Sequence, residues 1–187
     1  RGETIDPDGR TVALDAAATA SDRMNRLVDG LQGLARGEAG LAGQTEVDLG
    51  EVAEGAVLAA RARHPALTID LDAPASGPML RGDSDGLARV LDNLVENAAV
   101  HGRTGGHVRV TVTPDTVTVE DDGPGIPPGD RARVLERFAR GADTPAPGSG
   151  LGLAIVAAEA ARHDGTLTLD DSPLGGLRAT VKLSQKG

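Results

Sequence analysis

The stretch GSGLGLAIV, residues 148–156, spaces Gly148, Gly150 and Gly152 two apart and then runs straight into an apolar, helix-like segment. Glycines so spaced let a backbone approach another group closely. At the start of a helix, free amides and the helix dipole favour an anion. The pattern is neither the G-x-G-x-x-G of a dinucleotide turn nor the G-x-x-x-x-G-K-[ST] of a phosphate loop, and a Pro/Gly-rich run, 141–148, precedes it. Taken alone, it is as well explained by a flexible loop leading into a glycine-rich helix start.

Three stretches upstream change that balance. DDGPGIP, 121–127, puts Asp121 at the end of a strand, with Gly123 and Gly125 allowing a sharp turn. A carboxylate there can accept a hydrogen bond from an exocyclic amine such as that of adenine, although an Asp-Gly turn is common in its own right. DNLVENAAVHG, 92–102, sets Asn93, Asn97 and Val100 or His101 one turn apart on a helical face, with Leu91, Leu94, Val95 and Ala98 on the other side. Two uncharged amides on a cleft can offer oxygens to Mg²⁺, which keeps several waters and bridges phosphates; a buried Asn pair satisfied by backbone is the plainer reading. RVLERFARG, 133–141, supplies Arg137 and Arg140 as phosphate contacts and Phe138 as a core anchor.

The rest of the chain reads as short strands alternating with helices. Strands over 45–49 and 67–72 flank a helix at about 50–63, and a second helix spans about 83–100 with Asp83 as its N-cap. Residues 107–121 alternate with period two about Pro114-Asp115, a hairpin signal. A short helix is expected over 129–137 and a longer one over 150–162, and 165–171 with 177–183 close the chain as another hairpin. Near the start, apolar residues from Val12 to Ala35 recur at helical spacing, and 37–43 reads as a linker. The fold class is α+β, with a mostly antiparallel or mixed sheet and its helices on one face.

Composition narrows the function. Cysteine is absent, which excludes disulfides and thiolate metal sites. A net charge of −9 offers no basic stripe for nucleic acid, and Phe138 is the only aromatic residue, so no platform exists for stacking bases. No apolar run is long enough for a membrane span. The first residue is Arg1, and the chain is expected to be part of something longer.

In their order and separations, N-x-x-x-N on a helix, then D-x-G-x-G, E-R-F and G-x-G-L-G-L, the motifs resemble the ATP-binding catalytic domain of sensor histidine kinases, within the wider GHKL group of ATPases and kinases. The resemblance covers about residues 45–185, and 45–187 is expected to be the catalytic domain. Residues 23–40, RMNRLVDGLQGLARGEAG, are similar to the end of the second helix of the dimerisation and phosphoacceptor hairpin, which assigns 1–40 to that domain. The resemblance implies a Bergerat-type two-layer α/β sandwich preceded by an N-terminal helix. It implies ATP and Mg²⁺ as ligands, with a lid over about 140–150. Asp121 would read the adenine amine, Gly123, Gly125 and Ile126 would shape the pocket, and His101 would pack against the base. Asn93 and Asn97 would serve Mg²⁺ and the phosphates. Gly148, Ser149, Gly150, Leu151, Gly152 and Leu153 would begin the helix under the polyphosphate, with Phe138, Arg137 and Arg140 beside them. It further implies a homodimeric, membrane-anchored parent whose cytoplasmic catalytic part serves its own phosphoacceptor domain and, through it, a response-regulator receiver domain.

The chain also departs from the family pattern. Val100 stands where the family often carries Lys, leaving Arg103, Arg137 or Arg140 to substitute. No His-Glu-x-x-x-Pro phosphoacceptor motif occurs, and His64, His107 and His163 read as structural. Position 93 is Asn, whereas ATP-hydrolysing relatives carry a glutamate base there. An amide accepts no proton at neutral pH, which favours transfer to an already nucleophilic histidine over hydrolysis. The alternative is a nucleotide-gated interaction module that binds ATP without productive transfer.

Overall fold

A computed structural model describes residues 45–74, 79–136 and 150–184 of the 187. Strand β1 (Thr45–Asp48) leads into helix α1 (Leu49–Arg63), followed by β2 (Thr68–Asp72), β3 (Met79–Gly82) and helix α2 (Ser84–His101). The hairpin β4 (His107–Val112) and β5 (Thr116–Asp121) comes next, and after the 3₁₀ turns Pro128–Asp130 and Arg133–Leu135 the chain forms α3 (Gly152–Arg162), β6 (Thr166–Asp171) and β7 (Leu177–Lys182). The helix expected over Val12–Ala35 lies outside the described residues.

Five strands form one sheet in the order β2-β4-β5-β7-β6, parallel between β2 and β4 and antiparallel elsewhere. β1 and β3 pair antiparallel in a separate two-stranded sheet. The short strand β3 was not expected, because MLRG offers too few residues for an alternation to register.

Strand alternation divides the sheet into two faces. Val108, Val110 and Val112 on β4, Val117 and Val119 on β5, and Ala179 and Val181 on β7 are buried toward the helices. The opposite face carries a row of alternating charge across neighbouring strands: Asp70 opposite Arg109, Arg109 opposite Glu120, Glu120 opposite Arg178, and Arg178 opposite Asp170. Glu120 is nearly covered within that row, with Arg178 at 2.7 Å and Arg109 at 3.7 Å. A face of this kind is satisfied in water, so the three described helices lie on the other side, α1 against β2 and β4, α2 against β4 and β5, and α3 against β6.

Each helix is fixed by local chemistry. Asp48 caps α1, its Oδ1 accepting from the amides of Gly50 at 2.8 Å and Glu51 at 3.2 Å. α2 buries Leu87, Val90, Leu91, Leu94, Val95 and Ala98, one face of a 3.6-residue period. Asp83 occupies its N-cap position, but its side chain makes no capping hydrogen bond and turns to Arg162 instead. The helix expected over 129–137 is replaced, as far as residue 136, by two single 3₁₀ turns with i→i+3 bonds. Glu136 then takes extended backbone, which ends the second turn. Among the described residues no helix is long and apolar enough to cross a membrane.

Leu94 is almost wholly enclosed where α2 meets the sheet. Leu94→Ala is therefore expected to lower unfolding stability by about 2–5 kcal/mol. Urea denaturation of the two proteins checks this, and a loss below about 1 kcal/mol would mean that the site collapses around the smaller side chain.

Candidate nucleotide site

Along β5, Val117 and Val119 face the helices, and the same alternation turns Asp121 inward at the strand's end. Asp121 is buried, and its two oxygens differ. Oδ1 accepts from Gly123 N at 2.8 Å and Leu177 N at 3.1 Å, while Oδ2 makes no hydrogen bond among the described residues. Burial pushes this carboxyl above its ordinary value, opposed by the two amide bonds and by His101. His101 ends α2 half-buried, and burial pushes its imidazole below the ordinary value, which keeps the ring neutral at pH 7.

The loop after Asp121 needs its glycines. Gly125 has φ +69°, a left-handed conformation suited to glycine. A Cβ on Gly123 would fall 2.6 Å from the His101 carbonyl and 2.9 Å from Gly102 Cα, so this turn lies directly on the end of α2. Ile126 packs on the core, and its carbonyl accepts from Arg131 Nε at 3.0 Å, while Arg131 also pairs with Asp171 on β6.

Asn97 and Asn93 lie one and two turns before His101 on α2, both half-buried. Asn93 Nδ2 donates to the Arg89 carbonyl at 2.7 Å, which turns Oδ1 toward the first residue of α3. A Cβ on Gly152 would lie 3.3 Å from that oxygen. Asn97 makes no side-chain hydrogen bond among the described residues. Leu151, at the N-cap of α3, has no polar side chain with which to cap the helix, and among the described residues no side chain caps its first-turn amides. Gly150, with φ +67°, turns the chain into this start, and Leu151 and Leu153 are buried beneath it.

The side chains 93, 97 and 101 thus form a track along one face of α2, about 12 Å long at 1.5 Å per residue. One end meets the start of α3, and the other meets Asp121. A hydrogen-bond acceptor at one end and free amides at the other suit an elongated ligand with an amine and an anionic tail. Among the described residues no three His, Cys, Asp or Glu side chains gather into a metal site. A divalent cation here would depend on the oxygens of Asn97 and Asn93 and on the ligand's own phosphates. Gly148, Ser149, Arg137, Phe138 and Arg140, with the lid apart from Gly150, lie outside the described residues.

Sequence reading missed the turn between β6 and β7. A Cβ on Gly176 would fall 2.1 Å from Asp121 Oδ1 and 2.5 Å from Gly123 N, and the next amide, Leu177 N, donates to that carboxylate. The Gly175-Gly176 pair was the available signal, and it reads as a hairpin turn until the sheet is assembled. The three histidines expected to be structural all have protein partners: His64 with Glu96, His107 with Asp70, and His163 with Glu159 O and Asp83 N.

A family model for the histidine kinase-, DNA gyrase B-, and HSP90-like ATPases matches residues 82–187, more than half of the chain. The chain belongs to this ATPase family. Its similar relatives include the sensor-type histidine kinase PrrB of Mycobacterium leprae, 35% identical over 95% of this chain and 40% of the relative. Another is the signal transduction histidine-protein kinase/phosphatase MprB of Mycobacterium avium, 37% identical over 91% of this chain and 34% of the relative. The chain therefore spans two fifths or less of these relatives. Among solved structures, a mycobacterial sensor histidine kinase MprB superposes with TM-score 0.68 at 33% identity, covering 77% of this chain and 99% of that one. The ATP-binding domain of PrrB from Mycobacterium tuberculosis gives 0.63 at 30% identity, covering 78% and 100%. The α+β architecture expected from the sequence is the one these histidine kinase domains share.

Asn is the informative replacement for Asp121, because Ala would strand two buried amides at about 1–3 kcal/mol each. Asp121→Asn keeps an acceptor for both amides and turns a donor toward the ligand. Its unfolding temperature should match or exceed the parent's at neutral pH, since a carboxyl raised by burial loses stability once ionised. Its ADP affinity should fall by about tenfold or more. In the parent, ADP binding should weaken on acidification at a pH above the ordinary carboxylate range, as Asp121 takes up a proton. Calorimetry across pH checks both, and parent-like ADP affinity in Asp121→Asn would remove Asp121 from the site.

Proposed function

We propose that this chain is the catalytic part of a two-component sensor histidine kinase. It binds Mg²⁺-ATP along α2 and transfers the γ-phosphoryl group to a histidine of its dimerisation domain, for relay to a response regulator. The observation that carries this reading is the track from Asp121 through His101, Asn97 and Asn93 to the open start of α3. Asp121 Oδ2 would accept from the adenine amine. The first-turn amides of α3 would receive phosphate oxygens, and Asn97, whose side chain makes no hydrogen bond among the described residues, would serve the metal.

The chemistry asked of these residues is modest. A neutral imidazole nitrogen of the acceptor attacks the γ-phosphorus, a P–N bond forms, and ADP leaves with the electrons of the broken P–O bond. Bound Mg²⁺ would neutralise charge on the phosphates, and the residues of this chain would align the phosphoryl group and exclude water. Asn93 offers no base to activate water, consistent with transfer to histidine rather than hydrolysis. Residues 1–40 are assigned to the acceptor hairpin and 45–187 to the nucleotide domain. The full kinase is proposed to be a homodimer whose catalytic part is cytoplasmic, anchored by a membrane segment elsewhere in the protein. Val100 in place of lysine is the one observation favouring a nucleotide-gated module without transfer.

Incubation with ATP labelled at the γ-phosphate tests the reading. The chain alone should acquire no acid-labile label, whereas a separately supplied phosphoacceptor domain of a matching kinase should. Transfer in trans is expected to be slow, because the tether that raises effective concentration is missing. Nucleotide binding with no transfer to any such domain would favour the gated module. Acid-labile label on the chain alone would identify one of its four histidines as an acceptor.

Asn97→Ala separates a metal role from a packing role. It should weaken ATP-analogue binding by about tenfold in Mg²⁺ and far less in EDTA, as measured by calorimetry. Equal losses under both conditions would make Asn97 structural.

A further inference from the structure

Glu159 lies midway along α3 with only 3% of its side chain exposed, facing two guanidinium groups. Arg89, from α2, donates to Oε1 at 2.8 Å, and Arg162, three residues on, donates to Oε2 at 2.8 Å. Arg162 continues to Asp83 at the head of α2, at 3.3 Å, and Arg89 reaches the same carboxylate at 3.8 Å. His163 completes the link. Asp83 N donates to its Nε2 at 3.2 Å, which leaves Nδ1 to carry the proton and donate to the Glu159 carbonyl at 2.9 Å.

The two helices meet closely along this seam. A Cβ on Gly86 would lie 2.9 Å from Glu159 Oε2, and one on Gly82, just before α2, 2.8 Å from His163 Nε2. With Asn93 beside Gly152, the three pairs fall in a single antiparallel register: Gly82 opposite His163, Gly86 opposite Glu159, and Asn93 opposite Gly152. Seven residues separate Gly152 from Glu159, about 10 Å of helix. A helix that slides at Glu159 carries its first turn along with it. Arg89 bears on both ends of this arrangement, since its side chain binds Glu159 while its carbonyl holds Asn93.

As a source of stability the cluster is poor. Arg89 Nε is buried with no acceptor among the described residues, and the desolvation cost of buried pairs commonly cancels their attraction. What a directional, two-helix pair supplies is register.

We propose that Glu159 is a positioning residue: by pairing with Arg89 across the α2–α3 interface, it sets the start of α3 against Asn93. The proposal rests on the nucleotide reading above, and the parent protein separates the two. If the parent binds no ADP, that reading has failed; if it binds ADP and the variants below bind equally well, only this proposal has.

Two variants of the whole chain test it, Glu159→Gln and the double variant R89M/E159L. Each is measured for its unfolding temperature, its ADP affinity by calorimetry in the cold, and hydrogen exchange. Glu159→Gln leaves two guanidiniums sharing only Asp83 as a counter-charge, and should lower both the unfolding temperature and, by about tenfold or more, the affinity. The double variant removes charge from both sides and restores apolar packing. Its unfolding temperature should return to near that of the parent while its affinity stays weak, because the register device is gone. Recovery of both together would show that the cluster only packs, and would overturn the proposal, as would parent-like affinity in Glu159→Gln. If the double variant does not fold, Glu159→Gln decides through exchange. Amides at 152–155 must then speed up more than those at 90–98, and uniform acceleration overturns the proposal.

Discussion

Asp121 is the interaction on which the rest of the site depends. It is a carboxylate at a core-facing strand position, and such a group is tolerated only when its oxygens are satisfied. One oxygen is satisfied by two amides from different loops, Gly123 N and Leu177 N, which ties the turn after β5 to the turn before β7. The other accepts no hydrogen bond among the described residues and is the oxygen proposed to meet a ligand. The close approaches around it, at Gly123 and Gly176, follow from bringing two backbones onto a single carboxylate. The surrounding protein thus keeps a buried charge in place, and the cost of that burial makes the remaining oxygen a demanding acceptor.

The second constraint is the antiparallel seam between α2 and α3. It brings a helix start, where amides lack partners, to the middle of a helix that carries two asparagines. Because α2 continues for two further turns to His101, the same helix connects the anion end of the site to Asp121. The proposed binding chemistry is therefore distributed along one rigid element, which would suit a reaction in which alignment and charge neutralisation do most of the work. Position 93 offers no base, which agrees with the proposed transfer to a histidine rather than to water.

Much of this was legible in the sequence because it depends on local pattern. The alternation V-x-V-x-D over residues 117–121 and the spacing of Asn93, Asn97 and His101 each fix which side chains share a face. The fold class followed from hairpin and helix signals of the same kind. What was not legible depends on long-range packing. β3 is four residues long and exists because β1 is there to pair with it. Gly176 becomes part of the site only when β7 lies beside β5. Glu159 reads as an ordinary helical glutamate until α3 is laid against α2, and the expected helix over 129–137 gave way to 3₁₀ turns.

The central claim is that this cleft reads adenine through Asp121. Calorimetric titration of the chain with Mg²⁺-ATP, and then with Mg²⁺-GTP, tests it most directly. Adenine offers a donor to Asp121 Oδ2, whereas guanine offers a carbonyl oxygen that would face a buried carboxylate. The account predicts saturable ATP binding with GTP weaker by at least about tenfold. Equal affinity for the two nucleotides, or no binding of ATP, would contradict it.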